Sequence, residues 1–322
     1  MYKNIYPLQF EPILKERIWG GEKLKTQFNK TIPSKTTGES WELSTVEGDI
    51  SIIANGDLKG KLITELIESF PNEILGTKVF ERFGKQFPLL LKFLDAKQDL
   101  SIQVHPNDEL AKKRHNSFGK TEMWYIMQAD QDAQIIVGFK EKSNKEEYLK
   151  NLENKTLPSF LNQIQVNEGD VFFLETGTVH SIGAGLVIAE IQQTSDITYR
   201  LYDFDRVDEN GNKRELHIDL ALDAINYQEI ETQKIYLKEE NQSNLIVDCP
   251  YFTTNFIPLK NAMEVNKDGK SFTVYMCVDG KFNIEIEGNN YSYKKGETIL
   301  IPAALKEFVL NGNASILEIY IS

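Results

Sequence analysis

Residues 169–192 read GDVFFLETGTVHSIGAGLVIAEIQ. Two runs of β-branched and aromatic residues, DVFFLE (170–175) and LVIAEIQ (186–192), flank a glycine-rich stretch that carries His180. Runs this short, bounded by Gly and Asp, read as strands. The same signature recurs upstream in PLLLKFLDA (88–96), LSIQVH (100–105), EMWYIM (122–127) and AQIIVGF (133–139). Gly, Asn, Asp and Pro punctuate these segments, which is the pattern of an all-β sandwich or barrel. Helical periodicity is confined to small insertions: KLITELIESFPNEIL (61–75), KEEYLKNLEN (145–154) and ELHIDLALDAINY (215–227).

The pattern repeats. After the acidic polar stretch YLKEENQSN (236–244), strands resume in SFTVYMCVDG, KFNIEIEG, YSYKKGETILIP and ASILEIYIS. Gly169-Asp170 with VFFL after it resembles Gly296-Glu297 with TILI after it. Each is followed by a strand of similar sequence, IAEIQ (188–192) and ILEIY (316–320). Two similar sheets in tandem are the economical reading, with a first domain over 1–237 and a second over 238–322. The second copy has Glu307 near the place where the first has His180, and no histidine follows His217. The second domain is therefore expected to be structural, without a metal site.

Composition narrows the function. The 322 residues are 41% hydrophobic and 11% aromatic, ample for a packed core. A formal net charge of −12 argues against a nucleic-acid partner, which requires a basic stripe, but leaves room for a small phosphorylated ligand held by a few local cations. The leading MYKNIYPLQFEPILKERIWGG (1–21) has scattered charges and no apolar core, unlike a signal peptide. No apolar run approaches the roughly 20 residues of a membrane-spanning helix. The two cysteines, Cys249 and Cys277, lie in no ligand pattern and read as free buried thiols of a cytoplasmic protein.

The candidate chemistry lies in LSIQVHP. Gln103 and His105 are two apart on a strand, so both side chains emerge on one face. Glu122 opens the next strand, and His180 sits on a Gly-rich turn. Imidazole, carboxylate and amide donors suit a divalent ion such as zinc, manganese or iron(II), and do not resemble a thiolate structural site. Spacing leaves two readings open, because strand histidines also serve as hydrogen-bonded core residues and Glu122 also fits a strand-edge charge.

A resemblance adds to this reading. GDVFFLETGTVHSIGAG (169–185) resembles the second cupin signature, with Glu175 where cupins usually have Pro and Ala184 where they often have Asn. QVHPND (103–108), KTEMWY (120–125), GTVHSIGAGLVIAEIQQTSDITYRLYDFDR (177–206), ERIWGG (16–21) and GESWELS (38–44) are similar to type I mannose-6-phosphate isomerases in their short bacterial form. The likeness runs from residue 10 to about 210 and more weakly to the end. It implies an all-β fold of two tandem cupin barrels (double-stranded β-helix, or jelly-roll) with small helical insertions. It also implies interconversion of mannose 6-phosphate and fructose 6-phosphate, and one divalent metal per chain, usually zinc. That ion falls to Gln103, His105, Glu122 and His180. The family's catalytic arginine falls on Arg200, and its proton-transfer lysine and aspartate on Lys120 and Asp196.

Isomerisation through an enediol needs a group to take and return a proton and a charge to hold the developing oxyanion. Arg200 suits the second task, its alternative being a salt bridge to Asp203 or Asp205. Lys120 serves as base if burial depresses its pKa, its alternative being an ion pair with Glu122; Asp196 and Glu190 are the carboxylate candidates. Arg17, beside Trp19-Gly20-Gly21, and Lys92 are candidate phosphate ligands, and either also fits a solvated surface charge. His115 and His217 read as non-ligands. Two other functions remain open from the residues alone, an iron(II) dioxygenase and a non-catalytic sugar-binding protein. Gln103 as a fourth donor argues against the first, since dioxygen chemistry needs open positions. The expected partner is a small sugar phosphate, with no nucleic acid and no membrane.

Overall fold

The structure is a computed structural model that describes residues 5–208 and 210–322, so residues 1–4 of the leading segment lie outside it. In chain order the strands of the first half are β1 (Ile13–Gly21), β2 (Thr37–Leu43), β3 (Thr45–Val46), β4 (Asp49–Ile50), β5 (Leu89–Ala96), β6 (Ile102–Val104) and β7 (Glu122–Ala129). They continue as β8 (Gln134–Phe139), β9 (Leu161–Gln165), β10 (Val171–Leu174), β11 (His180–Ile182), β12 (Leu186–Gln193), β13 (Tyr199–Tyr202) and β14 (Gln233–Lys234). Apart from the small β3–β4 hairpin they form two sheets, ordered β1-β2-β5-β12-β7-β10-β14 and β13-β6-β11-β8-β9.

Period-two alternation assigns the faces of the first sheet. In β5, Leu89, Leu91 and Phe93 join one apolar cluster, while Leu94 and Ala96 join another. In β12, Val187, Ala189 and Ile191 go outward with the first set, and Leu186 and Ile188 inward with the second. The inward cluster also holds Ile135 and Val137 of β8 and Ile182 of β11, so the two sheets pack face to face around it. Lys92 and Glu190 share that inward face, which explains two charged residues inside otherwise apolar strands.

The second half contributes β15 (Asn244–Asp248), β16 (Thr253–Leu259), β17 (Ala262–Asn266), β18 (Thr273–Ile286), β19 (Asn289–Lys294), β20 (Thr298–Ile301) and β21 (Glu307–Tyr320). These form a third sheet, β15-β16-β21-β18-β19, with β17 on β21 and β20 on β18. Its order β16-β21-β18-β20 matches β5-β12-β7-β10 of the first sheet. The repeat extends to register: Glu190 lies between Lys92 and Trp124, and Glu318 between Asn255 and Tyr275. Glu307 opens β21 opposite Asn266 and is exposed.

The helices are α1 (Lys23–Phe28), α2 (Ile63–Ser69), α3 (Pro71–Leu75), α4 (Thr77–Phe83), α5 (Asp108–His115), α6 (Lys145–Glu153), α7 (Leu157–Phe160) and α8 (Ile218–Leu222). The expected helix over 61–75 is present but broken at Pro71. The segment 215–227 yields only α8, because the residues before it are committed elsewhere: the His217 N–H donates to the Arg200 carbonyl and the Glu215 carbonyl accepts from the Arg200 guanidinium. Helix α5 is an addition to the sequence reading. Asn107 caps it by accepting from the Leu110 N–H, with acids in the first turn and bases in the last.

One apolar cluster joins the two halves, running from Leu8 and Phe28 through Leu91 and Met123 to Phe256, Phe272 and Leu317. Among the described residues no helix is long and apolar enough to cross a membrane. Both cysteines are free, but Cys249 is only half-buried, which corrects the expectation of two buried thiols.

Candidate active site

The strand pair β6–β11 decides the geometry. His180 lies directly opposite Gln103 on one side of β6, and Arg200 of β13 lies opposite Gln103 on the other. The glycine-rich turn precedes His180 and does not contain it, so the expectation is corrected: His180 is the first residue of a short strand. The turn itself requires Gly177, whose φ is +89° and where a Cβ would stand 2.8 Å from the Ala224 carbonyl. The Gly177 N–H donates to the His105 carbonyl (3.0 Å), tying the turn to the other histidine.

His105, Glu122 and His180 converge, all buried, with donor atoms within 4.8 Å of one another. Glu122 reaches His105 Nε2 at 3.6 Å with one oxygen and His180 Nε2 at 3.4 Å with the other. His105 Nδ1 donates to the Ile197 carbonyl and His180 Nδ1 to the Thr178 carbonyl, both at 2.8 Å. A carbonyl only accepts, so each Nδ1 carries the proton and each Nε2 turns its lone pair into the cluster. Burial, reinforced by the Lys120 charge, holds His105 well below the usual imidazole range. Burial likewise lowers His180, to about 4, against the pull of the Thr178 carbonyl. Both imidazoles are therefore neutral, the form that binds metal. Both Glu122 oxygens are buried, one of them 3.2 Å from the Lys120 ammonium, and a carboxylate so enclosed is further relieved by a bound cation. Gln103 Nε2 stands 3.2 Å from His180 Nε2, and a half-turn of the amide puts Oε1 in its place. The donor set fits a divalent ion.

Gln103 and Lys120 carry this cluster to a cavity of about 660 Å³ between the two sheets. The Lys120 ammonium lies 3.1 Å from His105 Nε2 and 3.2 Å from Glu122. Burial alone would lower its pKa, but Glu122, Glu190 and Glu39 outweigh it and raise it. These carboxylates favour the ammonium form, the direction opposite to that expected of a lysine base.

The cations of the cavity fall into two groups. On the first sheet each has its own carboxylate: Lys15 pairs with Asp49, Arg17 with Glu39 (2.8 Å) and Lys92 with Glu190 (3.1 Å). Lys92 is buried and so is not a solvated surface charge, whereas the Arg17 side chain is 35% exposed. Each candidate phosphate ligand thus already has a carboxylate partner. Across the cavity Arg200 ion-pairs with no carboxylate among the described residues. Asp203 is taken by Arg206 and Arg214, and Asp205 by Lys155 and Lys213. Arg200 Nη1 donates to the Glu215 carbonyl (2.8 Å), and its Nε–H is buried without a partner. Asp196 lies exposed on the cavity wall. His115 bonds Tyr199 and His217 bonds the Arg200 N–H, both outside the cluster.

Sequence reasoning did not single out Glu39, Trp41 or Trp124. Trp41 Nε1 donates to Glu39 (2.6 Å), and Trp124 Nε1 to Glu190 (3.0 Å). GESWELS held a signal for the first pair, since Glu39 and Trp41 are two apart and so share a strand face.

A two-histidine, one-carboxylate cluster beside a polar cavity between two β-sheets defines a β-sandwich metalloprotein of the catalytic kind. Comparison with known proteins narrows the class. Residues 8–131 match the catalytic domain of type I phosphomannose isomerase, and residues 241–321 match the mannose-6-phosphate isomerase cupin domain. The chain is 39% identical to mannose-6-phosphate isomerase ManA of Bacillus subtilis over 96% of both chains, and 34% identical to the mannose-6-phosphate isomerase of Streptococcus mutans over 97% of both. The crystal structure of the Bacillus subtilis mannose 6-phosphate isomerase superposes with a TM-score of 0.91 at 33% identity, covering 98% of this chain and all of that one. The chain belongs to the type I phosphomannose isomerase family.

Proposed function

We propose that the chain interconverts D-mannose 6-phosphate and D-fructose 6-phosphate in the cavity beside the His105–Glu122–His180 cluster. The observation that carries this is the juxtaposition of that cluster with Arg200, the cavity cation that ion-pairs with no carboxylate among the described residues. Gln103, His105, Glu122 and His180 hold one divalent ion, zinc being the best match to two imidazoles, a carboxylate and an amide. When bound, such an ion would supply positive charge to stabilise a developing oxyanion.

The protein's own residues do the rest. Arg200 lines the cavity without a carboxylate ion pair among the described residues, where its guanidinium suits stabilising the oxyanion that develops as the proton moves between C1 and C2. Lys120, held as an ammonium, suits donating a proton to a sugar oxygen. The carboxylates of Asp196 and Glu190 suit taking the proton from carbon, and of these Asp196 is the accessible one. The three arginines 200, 206 and 214 gather around Asp203 and Glu215, and this surplus of one positive charge attracts the anionic substrate.

The matching strand orders and the paired Glu190 and Glu318 support two tandem cupin barrels that divide near residue 238, the second without a metal site. The free thiols support a cytoplasmic location.

A coupled assay on mannose 6-phosphate, with and without chelator, tests the reaction. Arg200→Gln is expected to keep its metal and lose about 10²–10³-fold in kcat, the effect of removing one oxyanion donor. Turnover unaffected by that substitution would refute the role of Arg200. Oxygen uptake without isomerisation would refute the reaction itself.

A further inference from the structure

We propose that His217 is a positioning residue for the isomerase reaction: its imidazole and its own backbone N–H hold both backbone groups of Arg200, and so keep the Glu215 carbonyl on the guanidinium. The inference rests on the role given to Arg200 above.

The strand that carries Arg200 needs such a partner. β13 ends its sheet, with β6 as its only strand neighbour among the described residues. Backbone groups on the open side of an edge strand have no ladder partner. At Arg200, His217 supplies both. Its backbone N–H donates to the Arg200 carbonyl (2.8 Å), and its Nδ1 accepts from the Arg200 N–H (3.0 Å). An ordinary antiparallel pair would use the His217 carbonyl for the second bond. That carbonyl is already committed to helix α8, where it accepts from the Ala221 N–H (3.0 Å). The imidazole therefore takes the place of a backbone acceptor. It makes no capping bond to α8, although that helix starts from His217. Burial, and then the Arg200 charge, lower the His217 pKa, which keeps the ring neutral and Nδ1 an acceptor.

The chemistry of Arg200 explains why neutral acceptors are used. A carboxylate would orient the guanidinium but would cancel the charge that a developing oxyanion needs. Arg200 makes no such ion pair among the described residues, and its Nε–H is buried without a hydrogen-bond partner. Its Nη1 donates to the Glu215 carbonyl at 2.8 Å, which orients the head and leaves the charge intact. Glu215 is two residues before His217 in the chain, so fastening His217 to the Arg200 backbone sets where that carbonyl meets the guanidinium. Arg214 anchors the other end of the segment, donating from Nε and Nη2 to the two Asp203 oxygens at 2.7 and 2.5 Å. The segment is pinned twice, and the His217 end is the one that grips Arg200 itself.

The test compares three replacements in the metal-loaded enzyme. Asn carries Oδ1 on Cγ, as histidine carries Nδ1, and restores the acceptor; Gln carries its oxygen one bond further out, and Ala has none. His217→Ala and His217→Gln are expected to lose about 10–100-fold in kcat, the scale of a catalytic group displaced by about 1 Å, with KM within about three-fold of wild type and full metal content. His217→Asn is expected within about three-fold of the wild-type kcat. In an Arg200→Gln background, His217→Ala should cost less than about two-fold more, because its effect runs through the arginine already removed.

A fall in Tm without loss of kcat would show a role in folding alone. Losses that multiply in the Arg200→Gln background would show an effect independent of Arg200. Either result overturns the proposal. So would a His217→Asn enzyme as slow as His217→Gln, or a rise of about ten-fold in KM at unchanged kcat, the mark of a binding residue. If His217→Ala does not fold, the contrast of Asn with Gln decides. Full turnover by Arg200→Gln, or no isomerisation by the wild type, would instead refute the underlying reading, so the two failures are told apart.

Discussion

Lys267→Met should destabilise the second half of the protein without touching catalysis. Glu318 is 2% exposed and receives four donors. Lys267 Nζ (2.7 Å) and Tyr275 OH (3.1 Å) reach one oxygen, while Ser243 Oγ (2.7 Å) and Asn255 Nδ2 (2.8 Å) reach the other. Burial pushes the carboxyl up, but Lys267, Asn255 and Ser243 together hold it below its ordinary value. Removing one partner of a buried pair costs about 3–5 kcal/mol. Three neutral donors remain and Lys267 is partly exposed, so the low end, about 3 kcal/mol, is expected. For a domain of this size that corresponds to a fall in Tm of about 6 °C or somewhat more. The loss should be largest at neutral and higher pH. With the ammonium gone, burial dominates and the folded-state pKa rises. The deficit therefore shrinks as pH falls and Glu318 takes a proton in the folded state. Adding Glu318→Gln should recover much of the loss. Scanning calorimetry at two pH values reads all of this, with kcat measured alongside. An unchanged Tm, or a loss of kcat without a loss of stability, would refute the reasoning.

Three further outcomes are expected. Glu39 has its pKa lowered to about 2, because Lys92 and Arg17 outweigh the opposing effect of burial. It therefore contributes up to about 3 kcal/mol above pH 4.5, lost as pH falls towards 2; urea unfolding should show wild type and Glu39→Gln converging in acid, and a pH-independent gap would contradict this. His180→Ala should abolish stoichiometric metal binding by elemental analysis and remove the dependence of Tm on added metal, which wild type should show; full occupancy in the variant would remove His180 from the ligand set. Gly177→Ala should cost about 2 kcal/mol through its left-handed backbone and the Ala224 carbonyl, lowering both Tm and metal occupancy; an unaffected Tm would show that the turn adapts.

How far the sequence could be read follows from where the information is stored. Short apolar runs bounded by turn residues placed β5, β7, β10 and β12 nearly to the residue, because these strands are buried on both faces. The pairing of Gln103 with His105 was legible as a two-residue spacing. His180 and Arg200 reach the same point only through register across β11, β6 and β13, a long-range property that no window of sequence contains. The carboxylates around Lys120 were not legible, because Glu190 and Glu39 come from other strands. Helix α5 was legible in hindsight: PNDELAKKRH carries its cap at Asn107, acids at Asp108 and Glu109, and bases at its end. The shortening of 215–227 to α8 was not legible, since contacts with Arg200 decide it.

The apolar cluster that runs from Leu8 through Phe93 to Leu317 makes the two halves thermodynamic partners. Phe256, Phe272 and Leu317 of the second half bury the outward face of the very sheet whose inward face builds the cavity. The second half thereby acts as a permanent internal chaperone for the half that holds the His105–Glu122–His180 cluster. Severing the chain near residue 238 would expose that face to water, and the isolated first half would aggregate before it could bind a sugar.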